Sequence, residues 1–262
     1  MEKSKNHSQG SVCDVSVVMI TFNEADSIGK CLERLHWCRD IVVVDSGSTD
    51  STMEICKAHG ARVFTRAFNC FGPQKRFAVS QAKYDWVLSI DADEIVSDGL
   101  AEEISSIVGR PASAADGYYI PSRVEFMGKV LQFGPTRHEM RLRFFRTSAG
   151  TFNDAQVHES VSLRGRAGRL RSGIIHRPYR NLGEYFTKFN DYTNRTAHLS
   201  FERGKRTNMA AVALTFPESF FVAYVLRGGA LDGYAGFIYC FLHAVYRTVK
   251  YARLLELQME KP

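Results

Sequence analysis

Trp86-Val87-Leu88-Ser89-Ile90-Asp91-Ala92-Asp93-Glu94 is an apolar run of strand length that ends abruptly in three carboxylates. On an extended backbone, residues two apart face the same way. Asp91 and Asp93 are therefore expected to converge on one hard divalent cation, and oxygen ligands suit Mg²⁺ or Mn²⁺. A strand followed by an acidic turn is the plainer reading of the same nine residues.

Upstream, the same grammar repeats. Val15-Ser16-Val17-Val18-Met19-Ile20 and Ile41-Val42-Val43-Val44 are short apolar runs suited to strands covered on both faces. Helical patterns follow each, the first through Ile28, Cys31, Leu32 and Leu35, the second through Met53, Ile55 and Cys56. Arg62-Val63-Phe64-Thr65 reads as a third strand, 74–82 as a helix, and Trp86 opens the fourth strand. Strand alternating with helix predicts an α/β fold with a mostly parallel, Rossmann-like sheet flanked by helices. Ligands of such sheets gather beyond the carboxyl ends of the strands. Thr21-Phe22-Asn23-Glu24, the run Asp45 to Asp50, and Asp91 to Glu94 all fall at those ends. Three polar clusters are thus expected on one rim.

The 262 residues carry a net charge of +6 that hides an asymmetry. Residues 1–109 hold 11 Lys+Arg against 16 Asp+Glu, and the remainder 23 against 12. The front half is built around carboxylates and the back half faces something anionic. No recognised nucleic-acid-binding motif accompanies the basic charge, which disfavours nucleic acid. Six cysteines without a CxxC pair read as reduced core thiols of a cytosolic protein. The polar start, Met1 to His7, lacks the apolar core of a signal segment, so secretion is not expected.

The expected divisions are a disordered lead at 1–12, a front half at 13–110, an α+β half at 111–180 and a helical region at 181–262. In the last of these, 209–226 is mostly apolar and about 27 Å long as a helix, marginal for a membrane span. Pro217-Glu218 is expected to break it, and Arg227-Gly228-Gly229 to separate it from a second helix over 230–246. Interfacial helices with Arg247, Lys250 and Arg253 near anionic headgroups fit this pattern. An oily hairpin packed on the domain, or joining two copies in a homodimer, is the alternative.

Phosphate handling by a glycine cradle is not expected, since GxxxxGK[ST] is absent and no GxGxxG follows the first strand. Gly72-Pro73-Gln74-Lys75-Arg76 instead brings two cations near a helix start. Asp45 sits where it can accept an N–H from a base, while Asp45-Ser46-Gly47-Ser48 with Asp50 is also a good turn and helix cap. Arg137, Arg141 and Arg143 belong to a basic series; on a strand, Arg141 and Arg143 would share a face and receive an acidic acceptor. A charged sheet edge is the competing account.

Val17 to Glu24, Val43 to Asp50, and Asp91-Ala92-Asp93-Glu94, in this order and spacing, resemble family 2 glycosyltransferases of the GT-A fold. Gly72-Pro73-Gln74-Lys75, Val157-His158-Glu159 and Arg227 to Gly233 are similar to a bacterial branch that glucosylates the lipopolysaccharide inner core. The resemblance implies a nucleotide-sugar site of Thr21, Asn23, Glu24, Asp45, Ser46, Gly47, Lys75, Asp91 and Ala92. It also implies a metal held by Asp93, with Asp91 beside it and His158 as a metal or phosphate contact. Family members invert configuration with a carboxylate base later in the chain, often in a Glu-Asp pair. This sequence departs from that pair, leaving Glu159 as the expected base and Asp154 as the fallback. His138-Glu139 and His176 compete for these roles, and spacing does not rank them.

The implied activity is transfer of a sugar, glucose in the first instance, from a UDP-sugar to a Kdo or heptose of the core, at the cytoplasmic face of the inner membrane. A polyprenyl-phosphate acceptor, or a catalytically silent scaffold of the same fold, are the alternatives.

Overall fold

The computed structural model describes residues 12–110, 115–137, 139–153 and 159–260. The chain forms two compact units, one from residues up to Ser122 with Met140–His176, the other from Arg123–Glu139 with residues from Arg177 onward.

The first unit opens with β1 (Cys13–Thr21), α1 (Ala25–Leu32), β2 (Cys38–Asp45), α2 (Thr52–Ala58), β3 (Arg62–Thr65), α3 (Phe71–Ser80) and β4 (Trp86–Ser89). It continues through β5 (Glu94–Val96), α4 (Asp98–Val108), β6 (Gly117–Phe126), β7 (Lys129–Val130), β8 (Met140–Arg146), β9 (Gly150–Phe152), β10 (Val161–Leu163), β11 (Ala167–Arg169) and β12 (Ile174–His176), with the end of β6 and all of β7 in the second unit. The strand order is β3-β2-β1-β4-β8-β6-β12-β5. Strands β1 to β4 pair in parallel, β8 joins β4 antiparallel, and the order of strand addition reverses at β1, with β2 on one side and β4 on the other. That reversal is the switch point where α/β sheets bind ligands.

The continuous apolar runs are explained by burial on both faces. Val15, Val17, Met19, Val43, Leu88 and Phe144 enter one core, while Val18, Val42, Val44, Val87 and Phe145 enter another. Trp86 stacks on Phe144 with ring centroids 4.5 Å apart. All six cysteines are free thiols and five are buried. Helix α4, not anticipated from sequence, is capped by the Ser97 hydroxyl, which accepts the Leu100 N–H, and buries Leu100 and Ile104 one turn apart.

Asp40 in β2 ties the sheet to its flank. Its carboxylate accepts hydrogen bonds from Ser16 Oγ (2.7 Å), the Arg62 guanidinium (2.9 Å) and the Lys83 N–H (3.0 Å). Burial alone would raise its pKa, but Arg62, Ser16 and Lys83 outweigh it and hold the carboxyl below its usual range. A group depressed on folding stabilises fully above its unfolded pKa, about 4, and loses that contribution as pH falls through the lowered value. Asp40→Asn should therefore cost about 1.5–3 kcal/mol in urea unfolding at pH 7. The gap to wild type should close below about pH 4; a constant gap would contradict the ion-pair origin.

In the second unit, α5 (Leu182–Glu202) is capped by the Asn181 side chain, which accepts the Glu184 N–H. Next come α6 (Met209–Phe221), a π-helical turn Val222–Leu226, a 3₁₀ turn Gly229–Asp232 and α7 (Gly233–Glu260). Pro217 does not break α6, contrary to expectation. Packing carries the helix through: Phe216 and Phe220 flank the proline and lie against Phe241 and Phe237 of α7, offsetting the about 3 kcal/mol cost of an interior proline. The second helix starts at Gly233, after the 3₁₀ turn, not at Ala230.

The Arg227 to Gly233 stretch has a packing role in this unit. A Cβ on Gly236 would collide with the Gly229 carbonyl oxygen, so the turn and α7 touch backbone to backbone. The buried Asp232 carboxylate accepts the N–H groups of Gln132 and Phe133.

Candidate active site

Thr21 ends β1 and Asp45 ends β2, and the two pair across the parallel ladder. The Thr21 hydroxyl donates to Asp45 Oδ2 at 3.0 Å, and Asp45 Oδ1 accepts the Gly47 and Ser48 N–H groups at 2.9 and 2.8 Å. Asp45 is fully buried, and its carboxylate shapes the turn that presents Ser46 and Gly47. Gly47 has φ of +95°, a conformation that favours glycine. Gln74 in α3 reaches this turn, donating to Ser46 Oγ at 3.3 Å.

Asn23 sits at φ of +55°, in the left-handed region that asparagine tolerates. Its side-chain oxygen accepts the Thr49 N–H at 2.9 Å, and its own N–H donates to Ser48 Oγ at 2.8 Å. The Glu24 N–H donates to Thr52 and the Ala25 N–H to Asp50. The loops after β1 and β2 are thereby laced into one rim.

Strand β4 stops at Ser89, so Asp91 and Asp93 lie on a turn and not on the extended backbone that the sequence suggested. Glu94 closes this turn: its carboxylate accepts the Asp91 N–H at 2.8 Å, and its N–H donates to the Asp91 carbonyl at 3.0 Å. The two aspartates consequently take different partners. Asp91 Oδ1 accepts from Lys75 Nζ at 2.9 Å, and Asp91 Oδ2 from Arg143 Nη2 at 2.9 Å. Asp93 Oδ2 meets His176 Nε2 at 3.1 Å. Ala92 between them is buried.

Lys75 also donates to Glu159 Oε1 at 2.7 Å, and Arg143 to Glu94 Oε1 at 3.2 Å. A chain of alternating charge thus runs Glu159, Lys75, Asp91, Arg143, Glu94, with both cations buried. Burial would raise the Asp91 pKa, but Arg143 and then Lys75 outweigh it and hold the carboxyl well below its usual range. Glu94 is pushed up, by burial first and by the charge of Asp91, against the pull of Arg143. His176 is also raised, because the hydrogen bond and charge of Asp93 outweigh burial, which favours the neutral ring.

Arg143 reaches this cluster through a bulge. In the β6–β8 ladder Tyr118 faces Phe144 while Tyr119 faces Leu142, leaving Arg143 as the extra residue. The bulge breaks the alternation that would have put Arg141 and Arg143 on one face: Arg141 is exposed and Arg143 buried. Arg137 belongs to the second unit, exposed, with its guanidinium 5.0 Å from the Phe133 ring centroid. Asp154, His158 and His138 lie outside the described residues.

His176 is the residue that sequence spacing left unranked. It faces Glu94 in the antiparallel β12–β5 pair, a pairing of very short strands some 80 positions apart that no local pattern reveals. Among the described residues no group of three or more His, Cys, Asp or Glu side chains is arranged to hold a metal.

A parallel sheet reversing at β1, with polar loops on its carboxyl rim, is the GT-A architecture. The crystal structure of S. aureus TarS 1-349 in complex with UDP-GlcNAc shares the fold, with a TM-score of 0.50 at 15% identity over 92% of this chain and 84% of that one. Residues 16–165 match glycosyl transferase family 2, and the chain belongs to that family. It is similar to LpsC of Rhizobium meliloti (strain 1021), described as a lipopolysaccharide core biosynthesis glycosyltransferase, at 30% identity over 253 residues and 92% of each chain. An uncharacterized glycosyltransferase of Rickettsia bellii (strain RML369-C) is 28% identical over 261 residues, 94% of this chain and 87% of that one.

Proposed function

We propose that this family 2 glycosyltransferase moves a sugar, glucose being our choice, from a UDP-sugar to a Kdo or heptose of the lipopolysaccharide core, with inversion at the anomeric carbon. The observation that carries this reading is the ion-pair chain that sets Glu159 one lysine away from Asp91, in a chain 30% identical to a core glycosyltransferase.

Glu159 is the general base. Its carboxylate takes the proton from the acceptor hydroxyl as that oxygen bonds to the anomeric carbon, and the electron pair of the broken bond leaves with UDP. Lys75 and Arg143 fix Asp91, which is assigned to the ribose and donor sugar. Thr21, Asn23, Glu24, Ser46 and Gly47 form the nucleotide rim, and Asp45 shapes it from beneath. Arg141, exposed on β8, is assigned to an acidic acceptor.

Asp93 and His176 are the residues that would hold Mg²⁺ or Mn²⁺. A carboxylate oxygen and an imidazole nitrogen 3.1 Å apart, each about a quarter to a third exposed, fit two positions of such an ion and leave the rest for substrate oxygens and water. When bound, the ion supplies charge to stabilise the departing diphosphate.

The test is incubation with UDP-glucose and core-truncated lipopolysaccharide, reading UDP release and the gain of one hexose by mass. Product on polyprenyl phosphate in place of the core would move the acceptor assignment. Excess EDTA should lower turnover by about 10²-fold or more, and Mg²⁺ or Mn²⁺ should restore it. Asp93→Ala should match the chelated enzyme and show no response to added metal. Full activity in EDTA would remove the metal from the account.

A further inference from the structure

Helix α6 leaves one apolar face uncovered. A helix packed on a soluble protein turns its apolar stripe inward and its polar residues to water. Here Thr215 and Ser219 of α6 and Ala223 of the π-helical turn that continues it, at successive i+4 steps, are buried, while Leu214 and Phe221 of α6 and Val225 and Leu226 of the turn are exposed. The Ser219 hydroxyl is buried without a hydrogen-bond partner. Across 209–226 the mean hydropathy is 1.7, yet only 22% of the window is buried. The exposed apolar surface continues around the turn into Leu231 and Tyr234.

The hairpin itself is firmly built. Phe216 meets Phe241, and Phe220 and Tyr224 both meet Phe237, so α6 runs antiparallel to α7 with a ladder of rings between them. The exposed residues are therefore not waiting for α7.

Cations mark both ends of the apolar stretch. Arg203, Lys205 and Arg206 precede α6 and Arg227 follows the π-helical turn, all exposed. Glu218, the single acid within 209–226, is exposed near the helix midpoint beside Pro217. A span would place that carboxylate in hydrocarbon, which is costly. Glu218 shares the outward face, one turn from Leu214 and from Phe221; a helix lying shallow in the interface keeps this carboxylate and the flanking cations within reach of headgroups and water, where a span would not.

We propose that the outward face of the α6–α7 hairpin is the protein's contact with an anionic phospholipid bilayer, the hairpin lying in the plane of the interface. This deepens the membrane-proximal reading above by naming the surface and its orientation. Vesicle binding needs neither donor nor acceptor, so either proposal can fail while the other stands.

The test uses the full chain and flotation with vesicles about one-third phosphatidylglycerol in phosphatidylcholine, against phosphatidylcholine alone. The anionic vesicles should bind roughly tenfold to hundredfold more tightly, and added salt should narrow the difference. The double variant F221E/V225E should lose binding to both, with UDP affinity retained as evidence of folding. For orientation, L214W and V225W are read separately by brominated-lipid quenching. Native Trp37 and Trp86 are buried away from lipid, and their unquenched emission is subtracted using the wild-type chain. Equal shallow depth at both positions supports the proposal, and different depths, as in a span, overturn it. Wild-type binding by the double variant would overturn it, as would a lipid-free dimer that the same substitutions dissociate.

Discussion

Glu159→Gln should lower sugar transfer by about 10²–10⁴-fold while UDP binds with nearly wild-type affinity. The amide keeps the shape of the side chain and can still accept from Lys75 through its oxygen, but it cannot take a proton from the acceptor. Lys75 also keeps its 2.9 Å contact with Asp91, so the donor side of the site stays in place. Single-turnover assays with UDP-glucose and core acceptor, paired with calorimetric UDP titration, separate the two effects. A loss below about tenfold would deny Glu159 the role of base and move attention to Asp154. A parallel loss of UDP affinity would make Glu159 a structural partner of Lys75 instead.

Arg143→Met should destabilise the fold by about 3–5 kcal/mol. The variant leaves Glu94 buried and Asp91 one-third exposed without the cation they share. The partial exposure of Asp91 favours the lower end of that range. Arg143→Lys keeps the charge but not the planar fork, and should recover part of the loss, which separates charge from packing. The measurement is urea unfolding at pH 7, with UDP binding as the second readout. A Met variant within about 1 kcal/mol of wild type would show that Glu94 simply takes up a proton and that the Arg143 pairs contribute little.

The parts of this molecule that a reader of the sequence finds are those governed by local rules. β1, β2 and β4 are announced by continuous apolar runs, because burial on both faces removes the polar alternation. The polar rim follows from where those runs stop, and Asn181 is visible as the cap of α5. The hidden parts depend on pairings over long distances. His176 meets Asp93 only because β12 lies against β5. Arg143 turns inward only because the ladder with β6 slips by one residue, and a period-two reading necessarily puts it beside Arg141. Pro217 misleads for a related reason: the rings that carry α6 past it come from α7, about 20 positions later. Helix α4 is local too, since Ser97, Leu100 and Ile104 spell a cap and one helical face.

With the rim assigned to the nucleotide as proposed, Asn23 has a thermodynamic consequence for the donor. Its left-handed backbone and its bonds to Ser48 and Thr49 stitch two loops together during folding, before any nucleotide arrives. Immobilising a residue's backbone costs about 1–2 kcal/mol, and for these loops that entropy is lost as the chain folds. Association with the nucleotide then resembles entry into a rigid socket, with little of the binding free energy lost to loop ordering.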